Sequence, residues 1–294
     1  MDRNVVRGLS RLSAQGVARD RPTPPAGVTI AIPNWNHELM LPRSVGSALR
    51  AVNALREIGV AGEVLVVDDR SRDGSLTLLR QLEALHYADG LRVLALGLNS
   101  GLPVARNTAL AHATYRHIIF MDADNELVSE NLPLFYRAIL DTAAAAVFGN
   151  LLRQVDGAAD GQTGATAGPA TLVSNESVQP RIFRENYIDA FAIFDRIQVL
   201  DVDGYLNAVE VQAREDWELY LHLAAAGRRI IFVPIVFGIY HVLPGSMIQE
   251  ADAGDDGHHV QKEYLRRVFD QLGIRAALPL ATHHLRYHPD VGYL

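Results

Sequence analysis

Four consecutive apolar residues, Ile118-Ile-Phe-Met121, run without interruption into Asp122 and Asp124. A short unbroken apolar run bounded by polar residues reads as a strand buried on both faces of a parallel sheet. Ligand sites in open α/β sheets lie just beyond the carboxyl ends of such strands. The two carboxylates, spaced i and i+2, stand at that edge. Hard divalent cations take carboxylate oxygens, and Mg²⁺ typically combines one or two carboxylates with substrate phosphates. The stretch His117–Asn125 therefore reads as a metal-diphosphate site or, alternatively, as a plain strand-end turn, in which Asp is common.

Other segments repeat the same strand-helix unit. Val28–Ile32 reads as a first strand, closed by Pro33-Asn-Trp-Asn36. A helix is expected from Glu38 to Glu57, with Leu41, Val45, Leu49, Val52 and Leu55 near helical period. Val64–Val67 is a second buried strand and runs into Asp68-Asp-Arg-Ser-Arg-Asp-Gly-Ser75, ahead of a helix over Leu76–Leu85. Leu91–Leu96 is a third strand, and Asn99-Ser-Gly101 opens a helix reaching Ala113, with Gly101 giving the tight entry. A helix over Glu130–Thr142 and a strand over Ala146–Phe148 continue the series. Alternation of this kind predicts an α/β fold, a mostly parallel central sheet flanked by helices, with right-handed crossovers.

The pattern then changes. Val155–Pro169 lacks periodicity and reads as a surface hairpin or a mobile loop. Tyr187–Leu200 is mixed and apolar, Asp201–Gly204 is a turn, and Glu215–Gly227 is a helix with Trp217, Tyr220, Leu221 and Ala224 on one face. Ile230–Val233 is a further strand. An acidic loop over Ala251–Gly257 and a helix over Glu263–Leu272 follow, and there is no internal repeat.

Composition narrows the function classes. A hydrophobic fraction of 49% over 294 residues suits a large globular core. A net charge of -7 argues against an extended nucleic-acid footprint. The absence of cysteine excludes disulfides and thiolate metal sites and fits a cytoplasmic protein. No run approaches a bilayer span, and the N-terminus lacks a signal peptide's apolar core. Met1–Ala18 is basic and partly amphipathic, either a peripheral docking helix for a membrane or partner, or a packed terminal helix; a Pro-rich linker, Arg21–Gly27, follows it. The oligomeric state is not legible. The histidine pairs His258-His259 and His283-His284 lack Cys partners or a His-Glu-x-x-His pattern and read as solvated or core residues.

Strands one, two and four all carry polar residues straight after their carboxyl ends, which share one sheet edge. Asp69, Asp122 and Asp124 are thus expected to line one crevice. Taken in order, Ile32-Pro-Asn-Trp-Asn36, Val67-Asp-Asp-Arg-Ser-Arg-Asp73, Asn99-Ser-Gly with Ala105-Arg-Asn107, Met121-Asp-Ala-Asp124, Gly204-Tyr205 and Glu215-Asp-Trp217 resemble a family 2 glycosyltransferase of the GT-A fold, over roughly residues 28 to 247.

The resemblance implies an inverting enzyme that uses a nucleotide-diphosphate sugar and a divalent metal, Mn²⁺ or Mg²⁺. It puts the nucleotide base at Asp69, where a carboxylate can accept from an N–H such as uracil N3, so a UDP-sugar is favoured; Asp69 or Ser71 can also merely cap the next helix. Pro33, Asn34, Asn36 and Ala123 would border the donor pocket. Arg106 is expected to approach the diphosphate, to position the Asp-x-Asp loop, or to form a structural salt bridge. Asp122 would face the ribose and Asp124 the metal, whose charge would offset that of the departing diphosphate. His241 is a second candidate ligand or a structural histidine. Asp216 is the expected base, placed to take the acceptor hydroxyl proton, although Glu215 and Asp216 also fit as first-turn helix acids. Gly204, Tyr205, Glu215, Trp217 and Ser246 are assigned to the acceptor side or to a lid, with Gly245 shaping the latter.

On the same reading the chain divides into an extension (1–27), a nucleotide-sugar half (28–150), an acceptor half (151–250) and a C-terminal extension (251–294). The acceptor would be a hydroxyl on a glycan, a lipid-linked glycan or a small molecule, reached in the cytoplasm or at the inner face of a membrane.

Two departures stand out. The Gly usual after the paired Asp is Arg70, expected to reshape the loop or contact the donor or a partner. The Gln-x-x-Arg-Trp signature of processive synthases is missing, which points to single-sugar transfer. Two rivals are a non-catalytic nucleotide-sugar-binding module and a sugar nucleotidyltransferase. The latter would need a Gly-rich, Arg-containing loop where Pro33-Asn-Trp-Asn36 stands. A dinucleotide dehydrogenase would need a Gly-x-Gly-x-x-Gly after a strand.

Overall fold

The computed structural model describes residues 23–155, 171–173, 182, 186–206, 215–242, 287–288 and 292–293. The expected N-terminal helix, Gly245, Ser246, the acidic loop, the helix over Glu263–Leu272 and the two histidine pairs lie outside the described residues, as does 156–170 in the expected hairpin or loop.

Strands β1 (Val28–Asn34), β2 (Gly62–Asp68), β3 (Leu91–Ala95) and β4 (His117–Phe120) are parallel and lie in the order β3-β2-β1-β4. Their register pairs Asn34 with Asp68 and Ala31 with Phe120, which aligns the carboxyl ends of β1, β2 and β4 on one edge. The sheet continues from β4 through β8 (Ile193–Asp195), β6 (Ala146–Val155), β9 (Ile230–Val242) and β5 (Glu126–Leu127), with β7 (Thr171–Val173) beside β6. β6 and β9 are parallel, whereas β8 runs antiparallel to both β4 and β6, so the sheet is mixed but mostly parallel by paired residues. β6 crosses position 150, and the two expected halves share this sheet. The short strands β10 (Tyr287–His288) and β11 (Gly292–Tyr293) pair separately.

The unbroken apolar runs are explained by two cores, one on each face. Ile30, Ile32, Val64, Val66, Ile119 and Met121 point to one side, where α1 (Leu41–Glu57), α2 (Ser75–His86) and α4 (Leu132–Thr142) pack. Ala31, Leu65, Val67, Ile118 and Phe120 point to the other, against α3 (Leu102–His112) and α6 (Glu215–Ala225). Successive strand residues face opposite ways, so a strand covered on both sides is apolar throughout. Replacing Ile119 by Ala would cost about 2–5 kcal/mol. Helix α5 (Arg196–Leu200) follows β8 and is capped by the Asp195 carboxylate, which accepts from the Ile197 amide at 3.0 Å.

Several boundaries differ from expectation. α1 begins at Leu41 rather than Glu38, because Pro42 is tolerated only in a first turn. Glu38 instead accepts the Gly74 amide at 2.9 Å and holds the loop after β2. β5 and β8 were not anticipated, and β6 and β9 extend well past Phe148 and Val233. Among the described residues no helix is long and apolar enough to cross a membrane.

Candidate active site

The loop after β2 is built around buried polar groups. Asp68 accepts from the Asn34 side-chain amide at 2.8 Å and from the Ser71 hydroxyl at 2.6 Å. Asn36 adopts φ +60°, a conformation Asn tolerates, and its side-chain oxygen accepts the Arg72 amide at 2.7 Å. Pro33 lies within β1, paired with Val67. Arg70 takes φ +56°, the backbone shape a glycine would adopt freely, and donates to the Gly97 carbonyl at 2.9 Å. The departure from Gly thus preserves the turn and adds an anchor to the neighbouring loop.

Asp69 has a defined structural duty. Its two carboxylate oxygens accept the amides of Ser100 and Gly101, both at 2.7 Å. Gly101, at φ +89°, is the residue that enters α3. Asp69 therefore secures the start of α3 rather than that of α2, the helix next in sequence.

From α3, Arg106 reaches the centre of the crevice with a side chain only 3% exposed. One terminal nitrogen donates to Asp122 at 2.9 Å and the other to Glu215 at 3.0 Å. The guanidinium lies 5.2 Å from the centre of the Tyr205 ring. Burial alone would weaken its charge, but Asp122, Tyr205, Glu215 and Asp216 together hold the proton more firmly than usual. Glu215 opens α6, and Asp216 sits in the same first turn. The Asp216 carboxylate accepts the Trp217 amide at 2.7 Å and the Asn186 side-chain amide at 3.2 Å. Burial, then Glu215 and Asp189, push its pKa up to about 8, with Arg106 pulling the other way.

Asp124 is half-buried beside Asp122. Burial and the Asp122 charge push its pKa up to about 6, opposed in part by His241 and Arg43. A carboxylate whose charge is so disfavoured suits a nearby cation. His241 is buried; its Nε2 lies 2.9 Å from Glu126 and its backbone amide donates to Asn125 at 3.1 Å. Among the described residues no three His, Asp or Glu side chains converge as a metal cluster. The set still fits Mg²⁺ or Mn²⁺ held by the Asp124 carboxylate together with substrate phosphates, the usual arrangement for a hard cation that keeps few protein ligands. His241 is engaged by Glu126, close enough to Asp124 for its charge to be felt there.

Other expected site residues are turned inward. Tyr205 and Trp217 are buried in the core between the sheet, α3 and α6, and the Trp217 indole donates to the Ile182 carbonyl at 2.7 Å. Gly204, at φ +67°, packs against Asn107, whose side chain exchanges two hydrogen bonds with the Tyr205 backbone. Glu215 is also buried. These four residues lie inside the fold, and Ala123 is buried between the two aspartates. Sequence reasoning overlooked Asp189, Asn186 and His37. Asp189 is pushed up to about 6 by burial and by Asp122. The His37 ring loses basicity through burial, opposed by Asp122 and Asp73, and its Nδ1 is buried with no hydrogen-bond partner. None of the three belongs to a spaced motif; only the adjacency of His37 to Pro33-Asn-Trp-Asn36 offered a signal.

The description of Glycosyl transferase family 2 matches residues 29–193, more than half of the chain. The UDP-Glc:alpha-D-GlcNAc-diphosphoundecaprenol beta-1,3-glucosyltransferase WfgD of Escherichia coli is 29% identical over 124 residues, 42% of this chain and 45% of that protein. The chain matches less than half the length of the curated relatives. The crystal structure of S. aureus TarS residues 1–349 in complex with UDP-GlcNAc superimposes with a TM-score of 0.62 at 20% identity, covering 87% of this chain and 68% of that one. The mannosyltransferase PcManGT from Pyrobaculum calidifontis, in complex with GDP-Man and Mn²⁺, gives 0.56 at 18% identity, covering 94% and 86%. At these identities the structural likeness shows the fold alone, and that fold is GT-A.

Proposed function

The chain belongs to glycosyl transferase family 2, and from that premise we propose that it moves a single sugar from a nucleotide-diphosphate sugar to an acceptor hydroxyl with inversion. One observation carries this reading: Arg106 joins Asp122, at the end of β4, to Glu215, the neighbour of Asp216. A donor-side carboxylate and a candidate base are thereby fixed across one crevice.

In the proposed reaction the donor diphosphate lies at the carboxyl edge of β1, β2 and β4, with Asp122 toward the ribose. Asp216 takes the proton of the acceptor hydroxyl as its oxygen bonds to the anomeric carbon. The anomeric bond to the diphosphate breaks, and the nucleoside diphosphate leaves. A divalent cation at Asp124 would supply the charge that stabilises this leaving group. Asn186 and the Trp217 amide hold the Asp216 carboxylate in place for the transfer. A pKa near 8 suits a general base that must bind a proton well yet release it near neutral pH.

The donor we favour is a UDP-sugar. TarS with UDP-GlcNAc and WfgD, named for UDP-Glc, support that choice, and PcManGT with Mn²⁺ supports the metal. The WfgD name also supports a lipid-linked glycan as acceptor. A cytoplasmic site of action, at the inner face of a membrane, belongs to the same proposal.

Calorimetric titration of UDP with and without MnCl₂ tests the donor site. Binding should strengthen with Mn²⁺, and that gain should vanish in Asp124→Ala. Because the ionised carboxylate binds the cation, the gain should also fade as pH drops below about 6. If UDP and GDP both fail to bind at any Mn²⁺ concentration, the reading is wrong.

A further inference from the structure

Asp189 lies outside every motif that pointed to the site, yet two independent features bring it to the middle of it. The first is strand register. β8 runs antiparallel to β4, with Ile193 opposite Ile119 and Phe194 opposite Ile118. The amino end of β8 therefore lies beside the carboxyl end of β4, the sheet edge that carries the Asp122-Ala123-Asp124 turn, and Asp189 stands four residues before Ile193. The second is a pair of bonds to α6. The Tyr220 hydroxyl donates to the Asp189 carbonyl at 3.0 Å, and Asn186 donates to Asp216. Tyr220 is four residues after Asp216, hence on the same face of the helix. The segment 186–189 is therefore tied to α6 beside Asp216, at the sheet edge that carries the Asp-x-Asp turn. The charges agree with this position: Asp122 and Asp124 strengthen proton binding at Asp189, and Arg106 weakens it.

Inversion requires the transferred sugar to lie between the leaving diphosphate and the base. A side chain placed between Asp122 and Asp216 is beside that sugar. One Asp189 oxygen accepts the Phe191 amide at 2.8 Å, which fixes the carboxylate. Nearby, the buried Asn186 side-chain oxygen also lacks a partner.

Resting on the donor reading above, we propose that Asp189 is a specificity-determining residue that accepts hydrogen bonds from hydroxyls of the transferred sugar and selects neutral hexosyl donors over uronic acid donors. A carboxylate has acceptor capacity beyond a single amide and matches a sugar hydroxyl. It repels a second carboxylate, and the guanidinium beside it is committed to Asp122 and Glu215.

The test is calorimetric titration of wild type and Asp189→Asn with UDP, UDP-glucose, UDP-N-acetylglucosamine and UDP-glucuronic acid, and with GDP and GDP-mannose, all with MnCl₂. Asn keeps an acceptor for the Phe191 amide. The expected result is unchanged affinity for the free nucleoside diphosphate and an about tenfold loss for the preferred neutral sugar nucleotide, in line with loss of a charged hydrogen bond. Discrimination against UDP-glucuronic acid should narrow. The reading is a ratio of sugar nucleotide to free nucleotide, so a general loss of folded protein cancels; Asp189→Ala should move the same ratio. Equal weakening of both ligands, or no change in the ratio, overturns the proposal while leaving the donor site standing. Failure of wild type to bind either nucleoside diphosphate removes the donor site itself and this proposal with it.

Discussion

Arg106 and Glu215 are 109 residues apart in sequence and 3.0 Å apart in the fold. The pair is buried on both sides, with side-chain exposures of 3% and 8%. A buried charge must be paired, and removing one partner leaves the other uncompensated at a cost of about 3–5 kcal/mol. This contact fixes α6 against α3 and tunes the proposed base beside it, since Glu215 raises the Asp216 pKa and Arg106 lowers it.

Glu215→Gln separates these two roles. Gln still accepts from Arg106, but the charge that raises Asp216 is gone. The base must be ionised to act, so activity rises with pH through its pKa, near 8 in wild type. In the variant the rising limb of kcat/KM against pH should move to lower pH. An unmoved limb would mean that Asp216 is not the titrating base.

Asp69 should prove structural as well as functional. Removing its carboxylate strips two amides at the entry to α3, Ser100 and Gly101, of their acceptor. Asp69→Ala should lower stability by about 1–3 kcal/mol in urea unfolding, on the scale of hydrogen bonds to a charged group. A fully stable variant would contradict the capping role.

Asp216→Asn should stabilise the protein at alkaline pH. The folded-state pKa, about 8, stands above the usual carboxylate value of 3.8. The associated stability is fully present below 3.8 and is lost as pH rises through about 8, where the buried group is forced to ionise. Near pH 9 the variant should therefore melt a few degrees higher than wild type, and near pH 4 the two should coincide. Scanning calorimetry at both values checks this; a variant less stable at pH 9 would refute it.

The sheet edge at the proposed donor site was legible because its signals are local. Ile118–Met121 announces a strand buried on both faces, and Asp122 and Asp124 follow it directly. Gly101 announces a turn, and its φ of +89° agrees. The surroundings of α6 were less legible because their contacts are remote. Which first-turn acid of α6 faces inward depends on Arg106, far upstream, so Glu215 could not be recognised as its buried partner. Trp217 resembles a site residue by position but is claimed by the core and the Ile182 carbonyl. Asp189 enters through an antiparallel strand of three residues that a mixed apolar stretch conceals. Neither composition nor period marks such a strand, because its place depends wholly on pairing with β4 and β6.

The most direct measurement is donor turnover by Asp216→Asn beside its donor affinity. With a UDP-sugar, Mn²⁺ and a hydroxyl acceptor, UDP release should fall by about 10²–10⁴-fold, while UDP binding stays close to wild type. Near-normal turnover in the variant would contradict Asp216 as the base.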